Sequence, residues 1–219
     1  MTWKSNTSCL TACLNALSVR DRSGCEMEAE TAFLQWTENT LRIREKKQGV
    51  YLIGNGASSS MASHMAADLG KNARLRTEVL TDAALITAIG NDYGYEEVFA
   101  EPLRWRMTAG DMVVAISSSG QSPNILSGVR LAVSLEGYVV TLSAMTSNNG
   151  LRSRGDLNFY VPAMSYGTAE TCHAAILHYW VDQVAKTVGD MRTAREGRVI
   201  DFENIRSHRR NEKWTKSKP

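Results

Sequence analysis

Short runs of consecutive apolar residues alternate along this chain with longer segments in which apolar residues recur every three or four positions. The short runs predict strands that are buried on both faces, as in a parallel sheet. The periodic segments predict amphipathic helices that cover such a sheet. The predicted strands are 50–53, 76–80, 112–116, 138–142 and 157–161, and the predicted helices are 27–47, 58–71, 83–91, 95–105, 123–135 and 168–188.

This alternation predicts an α/β fold, a doubly wound parallel sheet flanked by helices on both faces in a three-layer sandwich of the flavodoxin or Rossmann kind. We expect residues 27–190 to form this domain, residues 1–26 to be an N-terminal helical extension, and residues 191–219 to be a basic, solvated C-terminal tail. The first helix of the domain carries Trp36, which suits either packing on its own sheet or a contact with another subunit.

Composition narrows the class of protein only a little. The 219 residues are 43% hydrophobic and 22% charged, with a net charge of +2 that is too small to indicate a nucleic-acid partner. The four cysteines lack the paired spacing of a zinc site and do not suggest a disulfide scaffold, so we expect a reducing, cytoplasmic location. We expect neither a signal peptide nor a membrane span, because no run has the required length and flanks.

Two loops rich in glycine and serine follow two of the predicted strands and precede helices. Their sequences are GNGASSS at 54–60 and SSSGQS at 117–122. A helix N-terminus presents unpaired N–H groups and the positive end of the helix dipole, and serine hydroxyls add donors, so each loop favours an anion. Two such loops predict a phosphorylated small molecule at the carboxyl edge of the sheet. Neither loop contains the lysine of a GxxxxGK[ST] nucleotide site.

Two helices carry residues that suit acid–base or metal chemistry. His64 and Asp68 lie four residues apart on the helix after the first loop, and Glu170 and His178 lie eight apart on the last helix. If they converge, they form either a general acid–base set beside a carbonyl or a ligand set for a divalent metal. His173 lies near both residues of the second pair and is the candidate bystander.

Four blocks together resemble the sugar isomerase (SIS) domain family, and within it the phosphoheptose (sedoheptulose 7-phosphate) isomerases. They are GNGASSSMASHMAADL at 54–69, GNDYGYEEVF at 90–99, ISSSGQSPN at 116–124 and the region of His178. The resemblance implies that the serine loops bind the sugar phosphate, that Asp68 is the catalytic base and that His178 is its acid–base partner. The implied substrate-binding set is Asn55, Gly56, Ser58, Asn91, Asp92, Ser117, Ser118, Ser119 and Ser122.

Some members of this family bind zinc, which implies a metal site at His64, Asp68, Glu170 and His178. Two of these residues depart from the family pattern, because Asp68 stands where glutamate is usual and Glu170 stands where glutamine is usual. The shorter Asp68 moves its carboxylate by about an ångström, a displacement that matters for catalysis. The additional carboxylate favours a divalent cation, which offsets the repulsion between the two.

The implied reaction is an aldose–ketose isomerisation through an enediol that converts sedoheptulose 7-phosphate to a heptose 7-phosphate. Two alternatives stay open at this stage. One is a non-catalytic SIS protein that binds a sugar phosphate or acts as a replication-initiation factor, and the other is an isomerase of another phosphosugar. The resemblance also implies a homotetramer with active sites at subunit interfaces.

Overall fold

The computed structural model describes the backbone of residues 2–214 and the side-chain environments of residues 2–191 and 193. Within these residues the strands are β1 (Ser18–Asp21), β2 (Glu26–Met27), β3 (Gly49–Gly54), β4 (Arg76–Val79), β5 (Met112–Ser117), β6 (Tyr138–Ser143) and β7 (Leu157–Tyr160). The helices are α1 (Trp3–Asn15), α2 (Ala29–Glu45), α3 (Ala57–Ala73), α4 (Ala83–Asp92), α5 (Ala100–Arg106), α6 (Pro123–Ser134) and α7 (Tyr166–Trp214), with a 3-10 turn at Tyr95–Glu97.

The seven strands form one sheet in the order β2-β1-β7-β6-β5-β3-β4. All ladders among β3 to β7 are parallel, and the central strands β3 and β5 are buried along their whole length. The predicted α/β fold with a doubly wound parallel sheet is therefore confirmed. The two-residue β2 and the four-residue β4 form its edges.

The N-terminal segment differs from the prediction. The expected helix ends at Asn15, and the residues that follow form β1 and β2. β1 pairs antiparallel with β7, placing Val19 opposite Phe159, and so extends the sheet past its parallel part. The local sequence does not predict this strand, because its hydrogen-bonding partner lies far away in the chain.

The last helix is longer than predicted, since α7 continues past residue 188 to Trp214. No proline interrupts that stretch, so the backbone of much of the segment expected to be a basic tail is helical. Residues 215–219 of that predicted tail lie outside the described residues. Within the described part of the chain, no helix is both long and apolar enough to cross a membrane.

The larger part of the core joins α2 and α7 to one face of the sheet. Trp36 is fully buried there and stacks on Trp180, with ring centroids 4.1 Å apart. The indole N–H of Trp180 donates to Thr40 Oγ1 at 3.0 Å. Trp36 therefore packs on its own sheet, and the tryptophan stack fixes the helix that carries His178.

The order in which successive strands join the sheet reverses at β3. Strand β4 pairs with one side of β3 and β5 pairs with the other, so α3 and α6 leave adjacent strands. A crevice opens at such a switch point, outside the carboxyl ends of the two strands. Gly54 and Ile116 are paired at this end of the sheet, directly before the two serine loops.

Candidate active site

The first serine loop makes a tight turn from β3 into α3. Gly56 adopts φ +55° as the N-cap of α3, a left-handed conformation that favours glycine. A Cβ atom on Gly54 would lie 2.7 Å from the carbonyl carbon of Ser58, so only glycine lets the first turn of the helix approach the strand this closely. The turn aims the N-terminus of α3 at the crevice.

The second serine loop joins β5 to α6. Ser117 and Ser118 are 5% exposed, as is Ser58 of the first loop, and the Oγ atoms of Ser117 and Ser122 are 3.2 Å apart. Ser119 is more exposed, and its Oγ accepts from the N–H of Gln121 at 3.2 Å. The structure thus gathers the predicted serines at the ends of two neighbouring strands, which lie about 5 Å apart.

A reciprocal pair of amides ties the two loops together. Asn55 Nδ2 donates to Asn124 Oδ1 at 2.9 Å, and Asn124 Nδ2 donates to Asn55 Oδ1 at 2.9 Å. Asn124, in the first turn of α6, is only 2% exposed. The sequence pointed to Asn55 but not to Asn124, because their pairing depends on the adjacency of β3 and β5. The pair fixes the spacing between the two helix N-termini.

The remaining two predicted pocket residues lie at the end of α4. Asn91 Nδ2 donates to Asp92 Oδ1 at 2.8 Å, and both side chains are exposed. Their role in substrate binding stays a prediction.

Three of the four predicted acid–base residues converge between α3 and α7. Ligand-type atoms of His64, Asp68 and His178 all lie within 4.8 Å of one another. His64 Nε2 is 3.4 Å from Asp68 Oδ2, and the two imidazole centroids are 5.3 Å apart. Lys71 Nζ lies 3.4 Å from the other oxygen of Asp68. Lys71 was not among the predicted site residues, although its position three residues after Asp68 on a helix is a usable signal.

Glu170 is not a member of this cluster of three. Eight residues of helix separate it from His178, a rise of about 12 Å, so the two share a face but lie two turns apart. His173 is 1% exposed, and neither ring nitrogen has a well-formed hydrogen bond in the described part of the chain. Burial lowers the pKa of His173 to about 4, against a smaller effect of the Ser143 backbone, so the imidazole is neutral at pH 7.

The cluster can support proton transfer, because it places a carboxylate beside two imidazoles on a surface that solvent reaches. The side chain of His64 is 58% exposed and that of Asp68 is 20% exposed. The same three donors also suit a divalent cation. Zinc binds nitrogen and oxygen ligands at about 2.0–2.2 Å, which requires donors about 3.4 Å apart in a tetrahedral site, so small side-chain rotations would bring them to an ion.

Comparison with known proteins identifies the family. The sequence profile of the SIS domain family matches residues 23–147. The phosphoheptose isomerase of Pelobacter propionicus is 34% identical over 150 residues, which are 65% of this chain and 78% of that protein.

Two solved structures of phosphoheptose isomerases share the fold. The protein of Neisseria gonorrhoeae superimposes with a TM-score of 0.66 at 30% identity, covering 70% of this chain and 86% of its own. That of Francisella tularensis gives a TM-score of 0.72 at 27% identity, covering 84% and 94%. With its serine loops at the switch point and its cluster between α3 and α7, the chain belongs to the SIS domain family, among relatives that are phosphoheptose isomerases.

Proposed function

We propose that this protein is a phosphosugar isomerase that converts sedoheptulose 7-phosphate to a heptose 7-phosphate. The observation that carries the proposal is the convergence of His178 on α7 with His64 and Asp68 on α3, the helix that begins at the first serine loop. A non-catalytic sugar-phosphate binder needs the loops but not this cluster. The relatives named phosphoheptose isomerase support the same activity.

The spacing along α3 suits a long open-chain sugar phosphate. His64 follows Ser58 by six residues, which is about 9 Å along the helix axis. In linear sedoheptulose 7-phosphate, five carbon–carbon bonds of about 1.5 Å and the ester linkage separate the carbonyl carbon C2 from the phosphorus, a similar distance. Anchoring the phosphate at the loops would therefore bring the reacting carbons toward the cluster.

The proposed reaction moves two protons. Asp68 removes a proton from C1 of the ketose while His178 donates one to the carbonyl oxygen at C2, which gives an enediol. Return of a proton to C2 and loss of the proton from O1 then produce the aldose, so the product is an isomer of the substrate. Phosphate binding far from C1 and C2 supplies orientation and leaves this step to the cluster.

We also propose a divalent cation, zinc in the first instance, held by His64, Asp68 and His178, without Glu170, which lies two helical turns from His178 and outside this group of donors. The donor set and its spacing support this proposal. When bound, such an ion supplies a Lewis acid that polarises the substrate carbonyl. Lys71 competes with the ion for Asp68, since it contacts the same carboxylate.

A homotetramer with active sites at subunit interfaces is our proposal for the assembly, and the cytoplasm is our proposal for its location. Exposure of His64 supports the first, because enediol chemistry benefits from a site that excludes bulk water. Large exposed aromatics at Tyr93, Tyr95 and Trp105 support it as well. The cysteines are all free, which supports a reducing compartment. Light scattering of the intact protein tests the assembly.

The test of function is turnover of sedoheptulose 7-phosphate by chelator-treated and zinc-reconstituted protein, followed by the appearance of the aldose phosphate. We expect turnover, and a requirement for metal would support the ligand set. Metal-independent turnover would contradict the zinc proposal but leave Asp68 and His178 as an acid–base pair. Binding without turnover in either form would contradict the isomerase and favour a sugar-phosphate-binding protein.

A further inference from the structure

The segment after β6 is attached to the second serine loop by backbone hydrogen bonds. The N–H of Ala144 donates to the carbonyl of Ser118 at 3.0 Å, and the N–H of Leu151 donates to the carbonyl of Gly120 at 3.0 Å. We call residues 144–152 the bracing loop. It contains no candidate catalytic or binding residue, yet it binds the Ser118 and Gly120 carbonyls in the turn that presents the serines.

Asn149 organises the bracing loop from within. Its side chain is 3% exposed, and Nδ2 donates to Ser143 Oγ at 3.1 Å and to the Thr146 carbonyl at 2.8 Å. Its Oδ1 accepts from the N–H groups of Leu151 at 3.2 Å and Arg152 at 3.1 Å. Both ends of the amide are thus engaged, so Asn149 stabilises one conformation of this loop.

The bracing loop also sets the direction of a peptide N–H in the serine loop. In a planar trans peptide the C=O and the N–H point in opposite directions. Because Ala144 binds the Ser118 carbonyl, the N–H of Ser119 points away from the bracing loop, and it has no hydrogen-bond partner among the described residues. Gly120 packs directly on Asn149, since a Cβ at Gly120, which has φ +62°, would overlap the Asn149 amide.

We propose that Asn149 is a positioning residue of the phosphate site, holding the Ser119 N–H toward a bound phosphate through the bracing loop. This inference rests on the proposed function for the location of the phosphate. Asn149 touches neither the sugar nor the reacting carbons, so its removal weakens phosphate binding and leaves proton transfer unchanged. A backbone N–H is a strong ligand for an oxyanion only when its direction is fixed in advance.

The test compares Asn149→Ala with Asn148→Ala, a change at the exposed neighbour. Calorimetry gives the Kd for inorganic phosphate, and initial rates give KM and kcat for sedoheptulose 7-phosphate. In Asn149→Ala we expect the phosphate Kd and the KM to rise about tenfold while kcat at saturation stays within about twofold. Asn148→Ala should match the wild type in all three.

A phosphate Kd within twofold of wild type in folded Asn149→Ala would overturn the proposal, as would a fall in kcat with KM unchanged. Hydrogen exchange on the wild type provides a test that does not depend on the variant folding. Phosphate should protect residues 117–121 and 144–152 together, and protection of 117–121 alone would overturn the proposal. So would a wild type that binds no phosphate, whereas phosphate binding without sugar turnover would contradict only the proposed function.

Discussion

Replacing Asp68 by asparagine would remove the proposed base while keeping the size and shape of the side chain. Asp68 Oδ2 is 3.4 Å from His64 Nε2, and Oδ1 is 3.4 Å from Lys71 Nζ. The amide retains one oxygen for these neighbours but cannot accept a proton from a sugar carbon. The substitution therefore tests proton transfer more directly than it tests packing.

The expected magnitude differs greatly between activity and stability. A positioned general base contributes about 10²–10⁴ in rate, equivalent to about 3–5 kcal/mol of barrier. Lys71 is 73% exposed, and ion pairs of this exposed kind contribute about 0–1 kcal/mol to stability. We expect kcat to fall by at least about 100-fold, while KM stays near wild type and Tm changes by no more than a few degrees.

The assay is the initial rate of aldose phosphate formation at saturating sedoheptulose 7-phosphate. Asp190→Asn removes an exposed carboxylate on α7, away from the cluster, and serves as the matched control. Metal analysis of each sample separates a lost base from a lost ligand. A rate in Asp68→Asn within about threefold of wild type, or an equal loss in Asp190→Asn, would contradict the role of Asp68 as the base.

Three further predictions concern stability and the crevice. The lowered pKa of His173, about 4 in the fold, means that the unfolded chain binds more protons below pH 6.5, so the free energy of unfolding should fall by about 2 kcal/mol from pH 7 to pH 5. Urea titrations should show this dependence reduced in His173→Met, and an unchanged dependence would contradict it. Thr40→Val removes the acceptor of the buried Trp180 N–H and should lower the free energy of unfolding in urea by about 1–3 kcal/mol. Thr31→Val, at an exposed position of α2, should lower it little, and equal losses in the two variants would contradict a stabilising role for this hydrogen bond. Asn124→Ala breaks the amide pair between the loops and should raise KM for the phosphosugar more than it lowers kcat, and unchanged kinetics would count against the pair as a spacer.

Local patterns were sufficient to predict the parts of the fold that repeat a simple period. The buried runs that became β3 and β5, and the helices that follow them, need only the alternation of apolar and polar residues. The placement of His64 and Asp68 on one face of α3 follows from helical spacing alone. The serine loops were found because glycine and serine stand between a strand and a helix.

Features that depend on contacts between residues far apart in the sequence were either not predicted or predicted only in part. β1 is four residues long, and only its ladder with β7 makes it a strand. Asn124 pairs with Asn55, and Asn149 packs on Gly120, so both contacts depend on the fold and the neighbouring sequence gives no signal for them. The pairing of Glu170 with His178 was inferred from a shared helix face, but the rise between them keeps Glu170 outside the cluster of three.

The most direct test of the central claim is nuclear magnetic resonance of sedoheptulose 7-phosphate incubated with the protein in deuterated water. A carboxyl proton exchanges rapidly with water, so a proton that Asp68 takes from C1 is replaced by deuterium before it returns. We therefore expect a heptose 7-phosphate that carries deuterium at C2. If the protein binds sedoheptulose 7-phosphate but the sugar is recovered without deuterium and no aldose forms, the proposed isomerase activity is contradicted.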